Sequence, residues 1–513
     1  MTARPAGEVT SSAVPSSASQ LPRPARVPAC PLAGLARLLG LPGAGGPGSP
    51  PAGAAVSGVL VSGVLVSGVL VSGVTHASDQ VRPGDLYAAL PGQRCHGAQF
   101  VPALVVPDPR ARLGEVAARV YGDPSARLPV IGITGTAGKT TTAYLLEAGL
   151  RAAGRRPALL STVQTRLGPV ALDSVRTTPE ATDLHALLAV ALEYGVDTVA
   201  MEVSSHALEL DRVGGVQFAV GGWTSVGLDH LDFHPDPAAY FAAKARLFDG
   251  RCRVEVLNYD EPALKPLVGP ATVSYSAAGD PAATWHATGI TDAGYGQRFQ
   301  ARGPAGPVAA GVAGPGRHNV ANALLAIAAL VAVGVPAGTG AAGVAACPGV
   351  PGRLERVGTG PVLGVVDYAH KPDSIAAVLA ALRPVAAGRG GRLICVVGAG
   401  GERDAGKRPR MGAAAAGGAD LVIVTDDNPR GEDPAAIRAG VLAGARAVAG
   451  GQVREVPGRR AAVTEAVAAA AAGDVVVVLG KGHERGQEVA GRVEPFDDRT
   501  VLAEALADRE PAR

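Results

Sequence analysis

Lysine is scarce in this chain: of 47 basic residues among 513, only six are lysine. A sequence that uses arginine wherever arginine serves keeps lysine where a compact ammonium, or one able to lose its proton, is required. Those six are Lys139, Lys244, Lys265, Lys371, Lys407 and Lys481. Cysteine is also sparse: Cys30, Cys95, Cys252, Cys347 and Cys395 stand far apart with no CxxC pair. This spacing excludes a zinc ribbon or a disulfide framework and reads as buried thiols of a reducing cytosol. Charge of one sign is missing as well, since the net charge is +2 and the basic residues form no stripe, so no nucleic acid is implied as a partner. The N-terminus has no basic, apolar and cleavage regions in secretory order, so the expectation is no export and a cytoplasmic location.

At 513 residues the chain is too long for one core, and about 150 residues per domain predicts three domains. Residues 1–53 are rich in Pro, Ala, Ser and Gly without an apolar face and are expected to be disordered. A strict five-residue repeat, "SGVLVSGVLVSGVLVSGV", runs from Ser57 to Val74. It is long enough to raise a membrane span, but Ser-Gly in every unit and its β-branched content predict strand-like low complexity and no membrane contact. From Val130 onward, runs such as "VIGIT", "DTVAMEV", "RLICVVG" and "DVVVVLG" alternate with Ala/Leu-rich helical stretches. Such runs predict an α/β fold with parallel sheets covered on both faces and ligands at the strands' carboxyl ends. The expected boundaries are 54–129 for an N-terminal domain, 130–349 for a central one and 350–513 for a C-terminal one, the last break falling near "CPGVPGRLERV".

The most specific local signal is "VIGITGTAGKTTTAYLLEAGL" (130–150), a strand, a glycine-rich turn and a helix. Gly135 and Gly138 allow backbone N–H groups to close on phosphate oxygens, Lys139 supplies a point charge, and Thr140 can place its hydroxyl on Mg2+. The strict GxxxxGK[ST] pattern would have glycine where Ile133 stands, so the match is to a shorter TGTxGKT variant. Glu202 ends the next apolar strand, where an acid beside a phosphate loop commonly holds the nucleotide's Mg2+; alone it could equally be a solvated strand end. "DHLDFHPDPAAYFAAKARLF" (229–248) offers Asp229, His230, Asp232 and His234 before a helix bearing Lys244. A histidine, Glu202 and a third anion could hold a second metal, for which Lys244 looks misplaced unless it snorkels to solvent. Further on, "VTDDNPRGEDP" (424–434) presents Asp427, Asn428 and Arg430 at a strand's end; its ordinary reading is an Asx turn before a helix.

These segments, together with "TTPE", "MEVSSHAL", "GRHNVANAL", "VPGRLERV", "VDYAHKPD", "GKRPRMG", "GKGHE" and "PFDDR", resemble in order the Mur ligases, which build the peptide of bacterial cell-wall precursors. The resemblance spans about residues 75 to 500. It implies a three-domain Mur ligase architecture with a P-loop central domain and a Rossmann-like C-terminal domain, acting as a monomer. The implied reaction is ATP-driven addition of meso-diaminopimelate to UDP-MurNAc-L-Ala-D-Glu through an acyl phosphate. The resemblance assigns Gly135, Thr136, Gly138, Lys139, Thr140, Thr141, Asn319, Arg353 and Asp367 to ATP, with Asp367 at the ribose side, and Thr140, Glu202 and His230 to two Mg2+ ions. Lys139, Glu202, His230 and Lys244 would be catalytic, with Lys244 carrying CO2 as a carbamate (N6-carboxylysine). Ser78, Thr177, Thr178, Ser204 and Arg212 would bind the UDP-MurNAc-dipeptide. Arg403, Asp427, Asn428, Arg430, Gly480 and Glu484 would bind diaminopimelate, arginines forking onto carboxylates and acids accepting from ammonium. An amino acid without the second carboxylate, such as lysine, would leave an arginine unpaired and be rejected.

Three departures from the family pattern stand out. Ser225 and Leu228 replace an amide and a cation beside the metal site. A helix and strand after Phe100 are missing, and the usual DSR-like triplet reads Ala77, Ser78, Asp79. Two other readings are therefore kept: an amide ligase for another amino acid, including the folylpolyglutamate type, and a non-catalytic nucleotide-binding paralogue.

Overall fold

The structure, a computed structural model, describes residues 21–39, 70–88, 90, 108–270 and 272–509. Strand Val130–Thr134 is buried at every position, as a β-branched run covered on both faces must be. Ile131 and Ile133 face helices Lys139–Ala152 and Arg317–Ala332. Val130 faces the opposite way, toward helix Ala181–Glu193. Around this strand the sheet contains, in spatial order, 306–312, 296–303, 285–293, 273–276, 252–258, 218–223, 130–134, 198–202, 157–160, 164–167 and 170–173. The centre is parallel, and antiparallel hairpins extend both edges. The phosphate loop and Glu202 leave adjacent strands in register, Ile133 opposite Glu202.

A second sheet has the order 355–357, 363–367, 475–479, 393–397, 421–424 and 452–455. Its first strand is antiparallel and the rest are parallel. Helices Pro372–Gly388, Lys407–Gly418 and Pro434–Arg446 cover one face. Helices Arg459–Ala469 and Asp498–Arg509 cover the other. This doubly wound arrangement has the parallel sheet covered on both faces that the apolar runs predict, and is the Rossmann-like C-terminal unit that the family resemblance implies.

The N-terminal segment differs from the expectation of disorder through residue 53. Within residues 21–39, strand Cys30–Pro31 pairs with Leu70–Val71, and helix Leu32–Leu38 buries Leu32, Leu35 and Ala36. Those apolar positions at i, i+3 and i+4 are a short helical stripe, concealed by the surrounding Pro and Ala. Arg23 pairs with Asp85, and the Ala25 and Arg26 amides donate to Glu193. Of the repeat, residues from Leu70 onward are described, in strands Leu70–Val71 and Gly73–Thr75. The remainder of the repeat and the gap after Phe100 lie outside the described residues.

Candidate active site

The phosphate loop turns on Gly135 (φ +136°) and Gly138 (φ +86°), a left-handed region that favours glycine. At Gly138 a Cβ would also meet Asn322 Oδ1 at 2.4 Å. Lys139 Nζ donates to the Gly135 and Thr136 carbonyls at 2.6 and 3.2 Å. Burial pushes its ammonium down to about 8, against the attraction of Glu202. Glu202 is buried and accepts from the Thr162 amide at 2.6 Å through Oε1. Thr178 and Ser204 brace this strand end: the Thr178 hydroxyl donates to Glu202 O at 3.0 Å and accepts from Ser204 N at 3.1 Å. The Ser204 hydroxyl caps the short helix Ser205–Glu209. Thr162 and Thr177 are joined at 3.0 Å.

These groups line a cavity of about 1150 Å³ that reaches the C-terminal sheet. Gly135, Thr136, Gly138, Lys139, Thr140, Thr141, Thr177, Glu202, Ser204, His230, Asn319, Arg353 and Asp367 all border it. The sequence-assigned nucleotide residues, dispersed over more than two hundred positions, thus share one wall. Arg353 lies over the Tyr368 ring and 3.5 Å from His483 Nδ1. Asp367 differs from the ribose-side expectation in one respect. Both its carboxylate oxygens accept backbone amides, from Leu354 and Ala369 at 2.7 Å, so it ties the entry of the C-terminal sheet.

Residues 229–244 form the opposite rim. His230 adopts φ +53° and places Nε2 3.0 Å from Asp229 Oδ2. Burial carries its imidazole down to about 4 despite Asp229, leaving a neutral ring able to ligate a metal. Asp229 is held at about 2: burial opposes its charge, but the adjoining Lys371 ammonium and His230 prevail. The Lys371–Asp229 ion pair joins this rim to the C-terminal sheet. Lys371 was flagged in the sequence by the scarcity of lysine and by its place in "VDYAHKPD", without a role of its own. Lys244 is buried, 2% exposed, and its Nζ sits 2.7 Å from the Tyr240 ring centroid. It makes no hydrogen bond or ion pair among the described residues, and burial, reinforced by Lys139, lowers it to about 6. Among the described residues no group of three or more His, Cys, Asp and Glu is poised around a metal. Thr140 and Glu202 nonetheless suit Mg2+, which keeps several waters and needs only one or two protein oxygens beside phosphate.

The third constellation stands at the carboxyl ends of Leu421–Val424 and Val475–Leu479. Lys481, fully buried, donates to Asn428 Oδ1 at 2.8 Å and Glu484 Oε2 at 3.0 Å, and Asn428 Nδ2 donates to Glu484 Oε2 at 3.0 Å. Arg459 forks onto Asp498 at 2.7 Å on both arms and lies 3.8 Å from Asp427. Gly480 (φ +117°) makes room for Asp427, whose Oδ2 a Cβ would meet at 2.4 Å. Arg430 donates through Nη1 to Gly401 O at 2.7 Å and sets Nε 3.2 Å from Glu488. Sequence reasoning missed Glu488, which has no local signature, and gave Lys481, in "GKGHE", no role. The UDP-sugar candidates are the least assembled. Ser78 is exposed on a short turn and Arg212 is paired with Glu180 at 3.0 Å; of the diaminopimelate candidates, Arg403 is exposed with no partner among the described residues.

A phosphate-loop cavity that reaches a Rossmann-like domain is the architecture of a nucleotide-using enzyme. Family models agree: residues 133–330 match the Mur ligase middle domain and residues 352–482 the Mur ligase glutamate ligase domain. The chain belongs to the Mur ligase family. It is 48% identical to the UDP-N-acetylmuramoyl-L-alanyl-D-glutamate–2,6-diaminopimelate ligase of Streptomyces coelicolor, covering 94% of this chain and 98% of the relative. It is 50% identical to the enzyme of the same name from Streptomyces avermitilis, covering 84% and 92%. A solved structure of a UDP-N-acetylmuramoyl-L-alanyl-D-glutamate–2,6-diaminopimelate ligase aligns with a TM-score of 0.63 at 30% identity, covering 86% of this chain and 95% of that one.

Proposed function

We propose that this chain joins meso-diaminopimelate to the D-glutamyl carboxylate of UDP-N-acetylmuramoyl-L-alanyl-D-glutamate at the expense of ATP, in the synthesis of peptidoglycan precursor. The observation that carries this reading is that Arg353 and Tyr368, which line the phosphate-loop cavity, meet His483, the neighbour in sequence of Glu484 in the acid–amide–arginine cluster. A carboxylate is a poor acyl donor because its leaving group would be oxide. Transfer of the γ-phosphoryl group gives an acyl phosphate, and attack by the diaminopimelate amine then expels phosphate.

Lys139 and the loop amides hold the phosphates, and the residues of the cavity do their work by positioning anions and neutralising them. Thr140 and Glu202 would hold Mg2+, with Glu202 and His230 serving a second ion; bound metal supplies positive charge to the phosphate oxygens. Lys244 fits carbamylation, R–NH2 + CO2 giving R–NHCOO⁻ and a proton. Its amine is largely neutral at pH 7, and the nearby Lys139 charge favours an anion there. Arg430 and Arg403 take the carboxylates of diaminopimelate, while Asp427, Asn428 and Glu484 accept from its ammonium. Ser78, Thr177, Thr178, Ser204 and Arg212 serve the UDP-sugar peptide, Thr178 and Arg212 by bracing the site. No helix among the described residues is long and apolar enough to cross a membrane; we place the reaction in the cytoplasm, with the enzyme working as a monomer.

The test is phosphate release from ATP and Mg2+ with the UDP-sugar dipeptide, offering meso-diaminopimelate or L-lysine. Release with diaminopimelate is expected. Release with neither amino acid sinks the ligase reading, and release with lysine alone sinks the substrate assignment.

A further inference from the structure

In the diaminopimelate cluster every carboxylate but one is held by more than one group. Asp427 accepts from the Asn428 amide and faces Arg459, and Glu484 accepts from both Lys481 and Asn428. Glu488 is different. Its carboxylate meets only Arg430 among the described residues, at 3.2 Å from Nε, and its side chain is 40% exposed against 22% for Arg430.

The backbone holds this acid in place. Arg430, at φ +54°, donates its amide to Glu488 O at 3.0 Å, and its carbonyl accepts from the Ala490 amide at 2.7 Å. The Glu488 amide in turn donates to Asn428 Oδ1 at 3.0 Å. The chain from 488 to 490 is therefore anchored to the cluster at both ends, while the Glu488 side chain stays partly open to solvent. The Arg430 guanidinium is not bare, since Glu488 and the Gly401 carbonyl satisfy part of it.

We propose that Glu488 is a specificity-determining residue, a resident carboxylate that occupies Arg430 while the amino-acid site is empty and yields it to the distal carboxylate of the incoming diamino dicarboxylate. This rests on the assignment of Arg430 to that carboxylate. Two consequences follow from the exchange. Binding diaminopimelate must first break an ion pair, so Glu488 raises its KM. An amino acid lacking the second carboxylate leaves Arg430 with Glu488 rather than unpaired, so Glu488 weakens the rejection of lysine that an unpaired guanidinium would enforce.

The experiment is steady-state phosphate release by the full chain and by Glu488→Gln, with Glu488→Ala as the second variant, varying meso-diaminopimelate, L-lysine and ATP in turn. Neutralising Glu488 is expected to lower the KM for diaminopimelate about two- to fivefold, the scale of a half-exposed ion pair, and to leave the KM for ATP unchanged. The ratio of kcat/KM for diaminopimelate over lysine should rise. An unchanged KM in both variants overturns the proposal, because the pair then does not compete. A raised KM also overturns it, because Glu488 then contacts the substrate's ammonium. If the native chain releases no phosphate in response to diaminopimelate, the assignment of the substrate itself fails, an outcome distinct from either.

Discussion

The phosphate-loop cavity and the cluster around Arg430 are both rich in cations, but they hold them in opposite ways. In the cavity, Lys139 touches only carbonyls and Lys244 only an aromatic ring, and burial pulls their ammonium groups down to about 8 and about 6. In the cluster, Lys481, Arg459 and Arg430 each face a carboxylate at 3.2 Å or less. Lys139, with no carboxylate in contact, awaits something that brings negative charge, as a triphosphate does, while the neutral Lys244 amine is open to gaining one. A charge-balanced array awaits a zwitterion, whose two ends exchange partners with it. Lys371 is the exception in the cavity: Asp229 neutralises it and ties the two halves together.

The largest effect is expected where an unpaired cation meets the phosphates. Lys139→Met should lower kcat by about a hundredfold or more, the scale of removing one preorganised electrostatic contact; phosphate release measures it, and a loss under tenfold would contradict the role. Lys244→Ala should cost turnover on a similar order, with partial recovery on adding short carboxylic acids that replace a carbamate. No recovery would remove the carbamate from the mechanism. In the balanced cluster the loss should appear in binding. Arg430→Ala should raise the KM for diaminopimelate about tenfold, as losing a hydrogen bond to a charged group does, with the KM for ATP unchanged. A parallel loss of ATP binding would erase the distinction between the two regions.

The smallest effect concerns stability. Lys244 binds its proton less readily folded, at about 6, than unfolded, at 10.5. Between those values the unfolded chain holds more protons, so this lysine's contribution to stability rises with pH. Its burial penalty is full below about pH 6 and gone above about pH 10.5. In CO2-free buffer Lys244→Met should therefore melt above the native chain at pH 7, with the gap narrowing toward pH 10. A gap independent of pH would mean that the proton is not the cause.

Much of the cavity was legible in the chain because its signals are local. The turn from Gly135 to Thr140 carries its own glycines, lysine and hydroxyl, and Glu202 ends a recognisable apolar strand. The rarity of lysine singled out Lys244 before any contact was known. What escaped reading depended on partners far along the chain. Lys371 meets Asp229 across 142 residues, and Lys481 meets Asn428 across 53. The assignment of Asp367 to the ribose side lacked the knowledge that two backbone amides already claim its carboxylate. The argument that an unpaired arginine rejects lysine lacked Glu488, whose side chain meets Arg430 only because residues 486–490 fold back onto that loop.

Composition and pattern by themselves determined the α/β class, the phosphate loop and the order of motifs that marks a Mur ligase. The first two follow from strand patterning and from the few residue types that can cradle phosphate, the third from resemblance to the family. Tertiary structure alone decided which charges are satisfied. It left Lys244 on an aromatic ring, joined Lys371 to Asp229 and gave Arg430 a carboxylate before any substrate arrives. The reason is physical: a charge's behaviour is set by burial and by neighbours within a few ångströms, and neither is a property of nearby sequence.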